Sequence, residues 1–283
     1  MIDRTLSEAV LTSLRDVAES LVRPRFRALR SDEVFDKGGD DPVTVADREA
    51  ERALAEALVP LISGCTVVGE EMTHADPSLL RRLKEPAPVW ILDPIDGTRS
   101  FIKGKDNYCM IVALMQGGVT RGAWIFAPEY DEAYTAVLGE GAFLNGEPLP
   151  LRSEQGTDDP FTIAADPGLM SEEARTVLGT RFGRPFERVG LFSAGLVYCN
   201  VARGRLAGTF FRSCKPWDHA AGCLLVAEAG GGSVYLDGTA YDPVADRKGI
   251  LTLGAPLEAR EVASLLQPLE AERIRRKAAS KKS

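Results

Sequence analysis

Three apolar runs in this chain stop abruptly in carboxylate, and no other feature constrains its fold as tightly. Trp90-Ile91-Leu92 leads into Asp93-Pro94-Ile95-Asp96-Gly97-Thr98, Val67-Val68-Gly69 into Glu70-Glu71, and Pro216-Trp217 into Asp218 at the start of a helical pattern. Strand residues alternate faces, yet Pro94 fixes a bend after Asp93 that brings both carboxylates and the carbonyl between them toward one point. Gly97 permits a close backbone approach to a ligand, and a helix beginning at Thr98 turns its free N–H groups toward an anion such as phosphate. An Asp-Pro turn followed by an Asp-Gly turn on the surface accounts for residues 93–98 taken alone. It does not account for the other two acidic ends. Four or five carboxylates converging without compensation repel one another, so convergence requires cations. Oxygen donors alone favour Mg2+, whereas zinc would want imidazole or thiolate. His74 and His219 read as satisfied solvent-side or core residues.

With 283 residues, 45% of them hydrophobic, the chain can bury a substantial core as one large domain or two small ones. The 34 basic and 41 acidic residues leave a net charge of -7, which argues against a nucleic-acid surface on the main body. Residues 271–283 carry six bases against the single Glu272, so the rest stands at -12. That basic stretch reads as a solvated, disordered tail behind a single domain of residues 1–270. Five scattered cysteines, Cys65, Cys109, Cys199, Cys214 and Cys223, lack zinc-site spacing and read as reduced, buried thiols. The longest apolar stretch, Cys109 to Met115, is far short of the ~20 residues a membrane helix needs, and the first residues show no short apolar run ending in a small-residue cleavage site. A soluble, cytoplasmic protein is expected.

Leu6, Val10, Leu14, Val17 and Leu21 predict an amphipathic helix that stops near Pro24. A second helix is predicted over residues 45–57 on Ala46, Ala50, Ala53, Leu54 and Ala57, with Asp47 in its first turn. Buried strands are predicted at 65–68, 89–92 and 108–115, and antiparallel segments at 120–126, 132–138 and 142–144, closed by a tight Asn145-Gly146 turn. After Pro160 the pattern becomes strand and helix: a strand over 161–165, helices over 171–178 and 194–202, and a last clear helix from Asp218 to Ala229 that Gly230 terminates.

Asp93-Pro94-Ile95-Asp96-Gly97-Thr98 and Trp217-Asp218-His219-Ala220-Ala221-Gly222 resemble the two signature motifs of the inositol monophosphatase family. Gly69-Glu70-Glu71 fits ahead of the first motif. The similarity runs from Asp41-Pro42-Val43-Thr44-Val45-Ala46-Asp47 through Gly141-Ala142-Phe143-Leu144-Asn145-Gly146 to Glu228-Ala229-Gly230-Gly231. The resemblance implies a mixed α/β (α+β) fold, a layered α-β-α-β-α sandwich of the inositol monophosphatase and sugar phosphatase type, usually as a homodimer. It also implies a phosphomonoesterase with two or three Mg2+ ions and in-line attack of water. Glu70, Asp93 and the Ile95 carbonyl resemble the ligands of one ion, and Asp93, Asp96 and Asp218 those of a second, with Asp93 bridging. Thr98, held by Asp47, resembles the pair that orients the attacking water, and Glu70 is counted with them as catalytic. The Gly97 and Thr98 amides are expected to hold the phosphate, and Glu71 to support the ligands from behind. Asp96, Ser193, Ala194, Phe211 and Arg212 complete the expected substrate contacts.

Two departures from the family pattern bear on substrate. Ser100 stands where an Asn is usual. Seven residues before Asp218, where the inositol phosphatases carry a Glu that binds the ring, stands Phe211, followed by Arg212. Phe211 suits stacking on a flat ring and Arg212 suits pairing with a second anion. The nominal substrate is myo-inositol 1-phosphate; histidinol phosphate, a 3'(2'),5'-bisphosphate nucleotide and fructose 1,6-bisphosphate are the alternatives within the family. A catalytically idle, metal-binding regulatory relative is the alternative outside enzymes.

Overall fold

The computed structural model describes residues 2–39, 41–149, 160–165, 172–183, 185–245 and 247–280. The chain opens with α1 (Arg4–Val17), the hairpin β1 (Val34–Asp36) and β2 (Pro42–Thr44), and α2 (Val45–Leu58). Next come β3 (Thr66–Gly69), the short α3 (Glu70–Ala75), β4 (Pro88–Asp96) and α4 (Thr98–Ile102). A meander follows as β5 (Cys109–Gln116), β6 (Val119–Ala127), β7 (Glu132–Val137), β8 (Gly141–Leu144) and β9 (Glu147–Pro148). Strands β3 to β9 form one sheet in chain order, antiparallel apart from the β3–β4 pair. Asn145 and Gly146 both take positive φ, 51° and 84°, in the two-residue turn from β8 to β9, as that dipeptide predicts.

The remainder alternates as β10 (Phe161–Ala165), α5 (Glu172–Phe182), β11 (Phe186–Val189), α6 (Ala194–Ala202), β12 (Gly208–Phe211) and α7 (Pro216–Glu228). It closes with β13 (Gly232–Tyr235), β14 (Ile250–Leu253) and α8 (Pro256–Ser280). The second sheet has the order β11-β10-β12-β14-β13, and its first three strands are parallel. The start expected for α5 at Ser171 lies outside the described residues.

Side-chain alternation sets the layers. On the first sheet Trp90, Leu92, Trp124 and Phe126 face α1 and α2, whose buried stripes include Val10, Leu14, Ala50 and Leu54. Ile91, Ile111 and Ile125 face the other way, onto α6 and α7, which also pack against Ala164, Phe211 and Ile250 of the second sheet. The far side of that sheet, with Phe161, Ile163 and Phe210, is covered by α5 and α8. The result is the expected α-β-α-β-α stack. Because α6 and α7 are sandwiched between sheets, they are apolar nearly all round.

Of the stretch expected as a disordered tail, residues 271–283, the described part ends at residue 280. Residues 271–280 continue α8, with Arg273 paired to Glu270 and Arg275 to Glu272 one turn apart. Alanines and long charged residues at i,i+3 spacing favour a helix there, where only the charge run signalled disorder. Among the described residues no helix is long and apolar enough to cross a membrane.

The two central helices cross closely at Gly222, where a Cβ would lie 2.1 Å from Tyr198 Cδ2. Gly222→Ala is therefore expected to lower unfolding free energy by about 1–3 kcal/mol through overpacking, despite the better helix propensity of alanine. Denaturant melts of the two proteins measure it, and an unchanged or raised midpoint would contradict the close crossing.

Candidate active site

A β-bulge builds the first half of the site. Along the β4–β5 ladder Asp93 pairs with Ile111 but Asp96 with Cys109, so three residue steps on β4 match two on β5. Pro94 has no N–H to give the ladder, which tolerates the extra residue there. The insertion flips the alternation: Leu92 and Ile95 both point into the α1/α2 layer, and Asp93 and Asp96 emerge on the opposite face. Two acids three apart in a strand thus share one side.

Glu70 at the start of α3 and Asp218 in the first turn of α7 complete the cluster. Carboxylate oxygens of Glu70, Asp93 and Asp218 lie within 4.8 Å of one another. Asp93 is 2% exposed, and its Oδ1 is buried with no hydrogen-bond partner. Three converging hard oxygen donors, one of them from a carboxylate with a buried, unpaired oxygen, fit a divalent cation of the magnesium type.

Asp96 stands beside this trio, with its Oδ2 already committed. It accepts from Ser193 Oγ at 2.5 Å, from the Gly195 amide at 2.7 Å and from Cys109 Sγ at 3.5 Å. Ser193, the N-cap of α6, and Ala194 beside it hold Asp96 in place from the neighbouring layer. Behind the bulge, Gly97 has φ 93°, and a Cβ on it would come within 2.8 Å of the Asn107 carbonyl. Thr98 Oγ1 is 3.3 Å from Asp47 Oδ1 and 3.1 Å from the Ile95 carbonyl. The other oxygen of Asp47 accepts from Thr44 N at 2.8 Å and Thr44 Oγ1 at 2.5 Å, a capping box that starts α2 and fixes the carboxylate.

The substrate side departs from expectation at Phe211. Its ring is 8% exposed and packs on Tyr198 and His219, with centroids 5.5 and 4.9 Å away, so it belongs to the core and cannot stack on a substrate. Strand alternation decides this, since Phe211 falls on the face that α7 covers. Arg212 follows it at the strand end, half-buried. His219 is satisfied as expected, with Nε2 2.8 Å from the Ser213 carbonyl and Nδ1 2.9 Å from the Tyr198 hydroxyl. Burial pushes it down to about 4, so it is neutral, donating from Nε2 and accepting at Nδ1.

Two site residues carried no recognised signal. Lys37, from the β1–β2 hairpin, buries its ammonium against Glu70 Oε1 at 2.6 Å and Glu71 Oε1 at 2.8 Å. Burial works against its charge, but the two carboxylates outweigh it and hold Lys37 protonated well above the usual lysine range. Glu51 is buried and accepts from the Glu71 and Met72 amides, both at 2.8 Å, so it caps α3 and sets the position of Glu70. A Cβ on Gly69 would fall 2.3 Å from Glu51 Oε2, which is why glycine ends β3. The available signal was Glu51 four residues after Asp47, on the same helix face.

Burial, and after it the neighbouring carboxylates, pushes Asp93 and Asp218 well above the usual carboxylate range. Burial likewise pushes Asp47 and Glu51 up to about 7, against the hydrogen bonds that favour their charged forms. Each group keeps a proton in the folded chain at a pH where the unfolded chain has lost it. For Asp47 and Glu51 the stability contributed is whole below a pH of about 4 and is lost as the pH rises through about 7; the raised Asp93 and Asp218 act in the same direction. With a chelator present, Tm should fall as pH is raised from about 5 to about 8, and magnesium should recover it most at the upper end. A Tm in chelator that is flat or rising over that window would mean the carboxylates do not converge in solution.

Comparison with known proteins agrees with this geometry. The model of the inositol monophosphatase family matches residues 4–276. An inositol-1-monophosphatase of Rhizobium meliloti (strain 1021) is 35% identical over 243 residues, covering 82% of this chain and 86% of that protein. The Nus factor SuhB of Escherichia coli (strain K12) is 31% identical over 219 residues, covering 76% of this chain and 79% of that one. Among solved structures, the Thermotoga maritima IMPase TM1415 matches with a TM-score of 0.76 at 24% identity, over 96% of this chain and 100% of that one, a likeness of fold alone. With the match running almost from end to end and the two motifs meeting at one carboxylate centre, this chain belongs to the inositol monophosphatase family.

Proposed function

We propose that this member of a phosphomonoesterase family is magnesium-dependent and acts on a small phosphate monoester, nominally myo-inositol 1-phosphate. One observation carries the reading: carboxylate oxygens of Glu70, Asp93 and Asp218 meet within 4.8 Å, Asp93 has a buried oxygen without a partner, and Thr98 pairs with Asp47. Two or three magnesium ions held by Glu70, Asp93, Asp96, Asp218 and the Ile95 carbonyl would supply the positive charge that acidifies a water and balances charge on the phosphoryl oxygens. Thr98 donates its proton to Asp47 Oδ1, which leaves its oxygen lone pairs to orient that water for in-line attack. Asp47, pushed up to about 7 by burial, is matched to accepting a proton near neutral pH. The first-turn amides of α4 at Gly97 and Thr98 face the phosphate, and Lys37 and Glu71 steady Glu70.

The reading extends to a cytoplasmic enzyme with one catalytic domain. Five free cysteines, four of them buried, support a reducing setting. A homodimer rests on family membership. The regulatory alternative draws on the similarity to Nus factor SuhB, and phosphate release separates the two, because an idle relative would turn over no ester in magnesium.

Thr98→Ala is expected to lower kcat by roughly 100- to 10,000-fold with little change in the magnesium dependence, since the hydroxyl orients water without carrying the ion. A collapse of magnesium affinity would make Thr98 a ligand. Asp93→Asn should remove turnover more completely than Glu70→Gln, because Asp93 would serve two ions and Glu70 one. In chelator at about pH 8 the same Asp93→Asn change should raise Tm, since asparagine is neutral without the proton that buried Asp93 must take up on folding. Equal residual rates for the two variants at saturating magnesium would end the bridging role.

A further inference from the structure

Six residues ahead of Asp218, Arg212 carries two buried nitrogens, Nε and Nη2, with no hydrogen-bond acceptor among the described residues. Both lie on one edge of the guanidinium. That edge is the one that grips a carboxylate or phosphate side-on through two parallel N–H···O bonds. A buried cationic donor that has given up water and gained no protein acceptor is costly, and an anionic occupant removes that cost.

The backbone holds Arg212 where it is. Its carbonyl accepts from the Gly249 amide at 3.2 Å, and the preceding Phe211 is anchored between Tyr198 and His219. Arg188 on β11 shows the same pattern: its Nε is buried without an acceptor, and its Nη1 donates to the carbonyl of Ala165, the last residue of β10, at 2.9 Å. Strands β11, β10 and β12 are parallel neighbours, so both arginines stand toward one carboxyl edge, where parallel sheets bind ligands. The same edge feeds the carboxylate centre. Four residues beyond Val189 comes Ser193, which bonds Asp96, and six beyond Arg212 comes Asp218.

We propose that Arg212 is a specificity-determining residue that selects phosphomonoesters whose leaving alcohol carries a second anionic group, gripped side-on by Nε and Nη2. This rests on the phosphomonoesterase reading and names the substrate class within it. It also replaces the sequence expectation of a flat ring over Phe211, which the core has claimed.

The test compares the wild type with Arg212→Gln and Arg212→Lys on three esters. Glycerol 2-phosphate has no second anion, 3-phosphoglycerate adds a carboxylate, and fructose 1,6-bisphosphate adds a phosphate. For each, kcat/KM is measured in magnesium, and binding is measured by calorimetry in calcium, which takes the same oxygen ligands. Arg212→Gln should reduce the preference for a doubly anionic ester over glycerol 2-phosphate by about 10- to 100-fold, with Arg212→Lys between, because lysine keeps the charge but not the fork. The ester that loses more tells carboxylate from phosphate. A preference unchanged in both variants overturns the proposal, whether all rates fall together through misfolding or none falls because water satisfies Arg212. If no ester is hydrolysed, the phosphatase reading fails by itself, and the calorimetric preference decides the role of Arg212.

Discussion

Negative charge gathered in a partly buried site is the constraint on which the rest of this structure turns. Burial raises the proton affinity of Asp93 and Asp218, and the neighbouring Glu70 and Asp96 raise it further. A folded chain can hold such a group only if fixed dipoles and cations offset the repulsion. The protein supplies much of this through helix starts. Asp47 sits in the first turn of α2, Glu70 and Glu71 in that of α3 and Asp218 in that of α7, while Asp96 accepts from Gly195 in the first turn of α6. Unpaired amides and the helix dipole favour negative charge at each of these points.

Seen this way, the five layers have a common purpose. Helices from two layers, together with the short α3, must begin at one place, and only sheets that end there can deliver them. The first sheet contributes Asp93 and Asp96 through its bulge and α3 through the end of β3. The second contributes α6 and α7 through the ends of β11 and β12. The close crossing of α6 and α7 at Gly222 is part of this arrangement, since it holds the Asp96 contacts and Asp218 in register.

Lys37 adds a buried cation to the charge balance, reaching in from the two-stranded hairpin to pair with Glu70 and Glu71. Its ammonium on Glu70 and Glu71 is a positive charge that a cation approaching Glu70 must share the carboxylates with. Glu51 does the opposite: it adds negative charge behind the site, and in return it fixes the backbone that carries Glu70.

The sequence by itself determined the elements and most of the chemistry. Acid at the ends of apolar runs, Asp-Pro-Ile-Asp-Gly-Thr after a strand, Trp-Asp before a helix and Asn-Gly between short strands are local signals, and each became the expected local structure. Tertiary structure alone decided which side chains meet. Pro94 announced that Asp93 and Asp96 would meet, but not that an extra residue in β4 does it, because the bulge is defined against β5. Nor could spacing show that Lys37 reaches Glu70 across 33 residues, or that Glu51 caps a helix 20 residues on. Phe211 looked available to a substrate until α7 covered its face, and the charge run after residue 270 looked disordered although its spacing sustains a helix. Periodicity fixes the face a residue takes on its own element, while the partner it meets depends on packing between elements far apart in the chain.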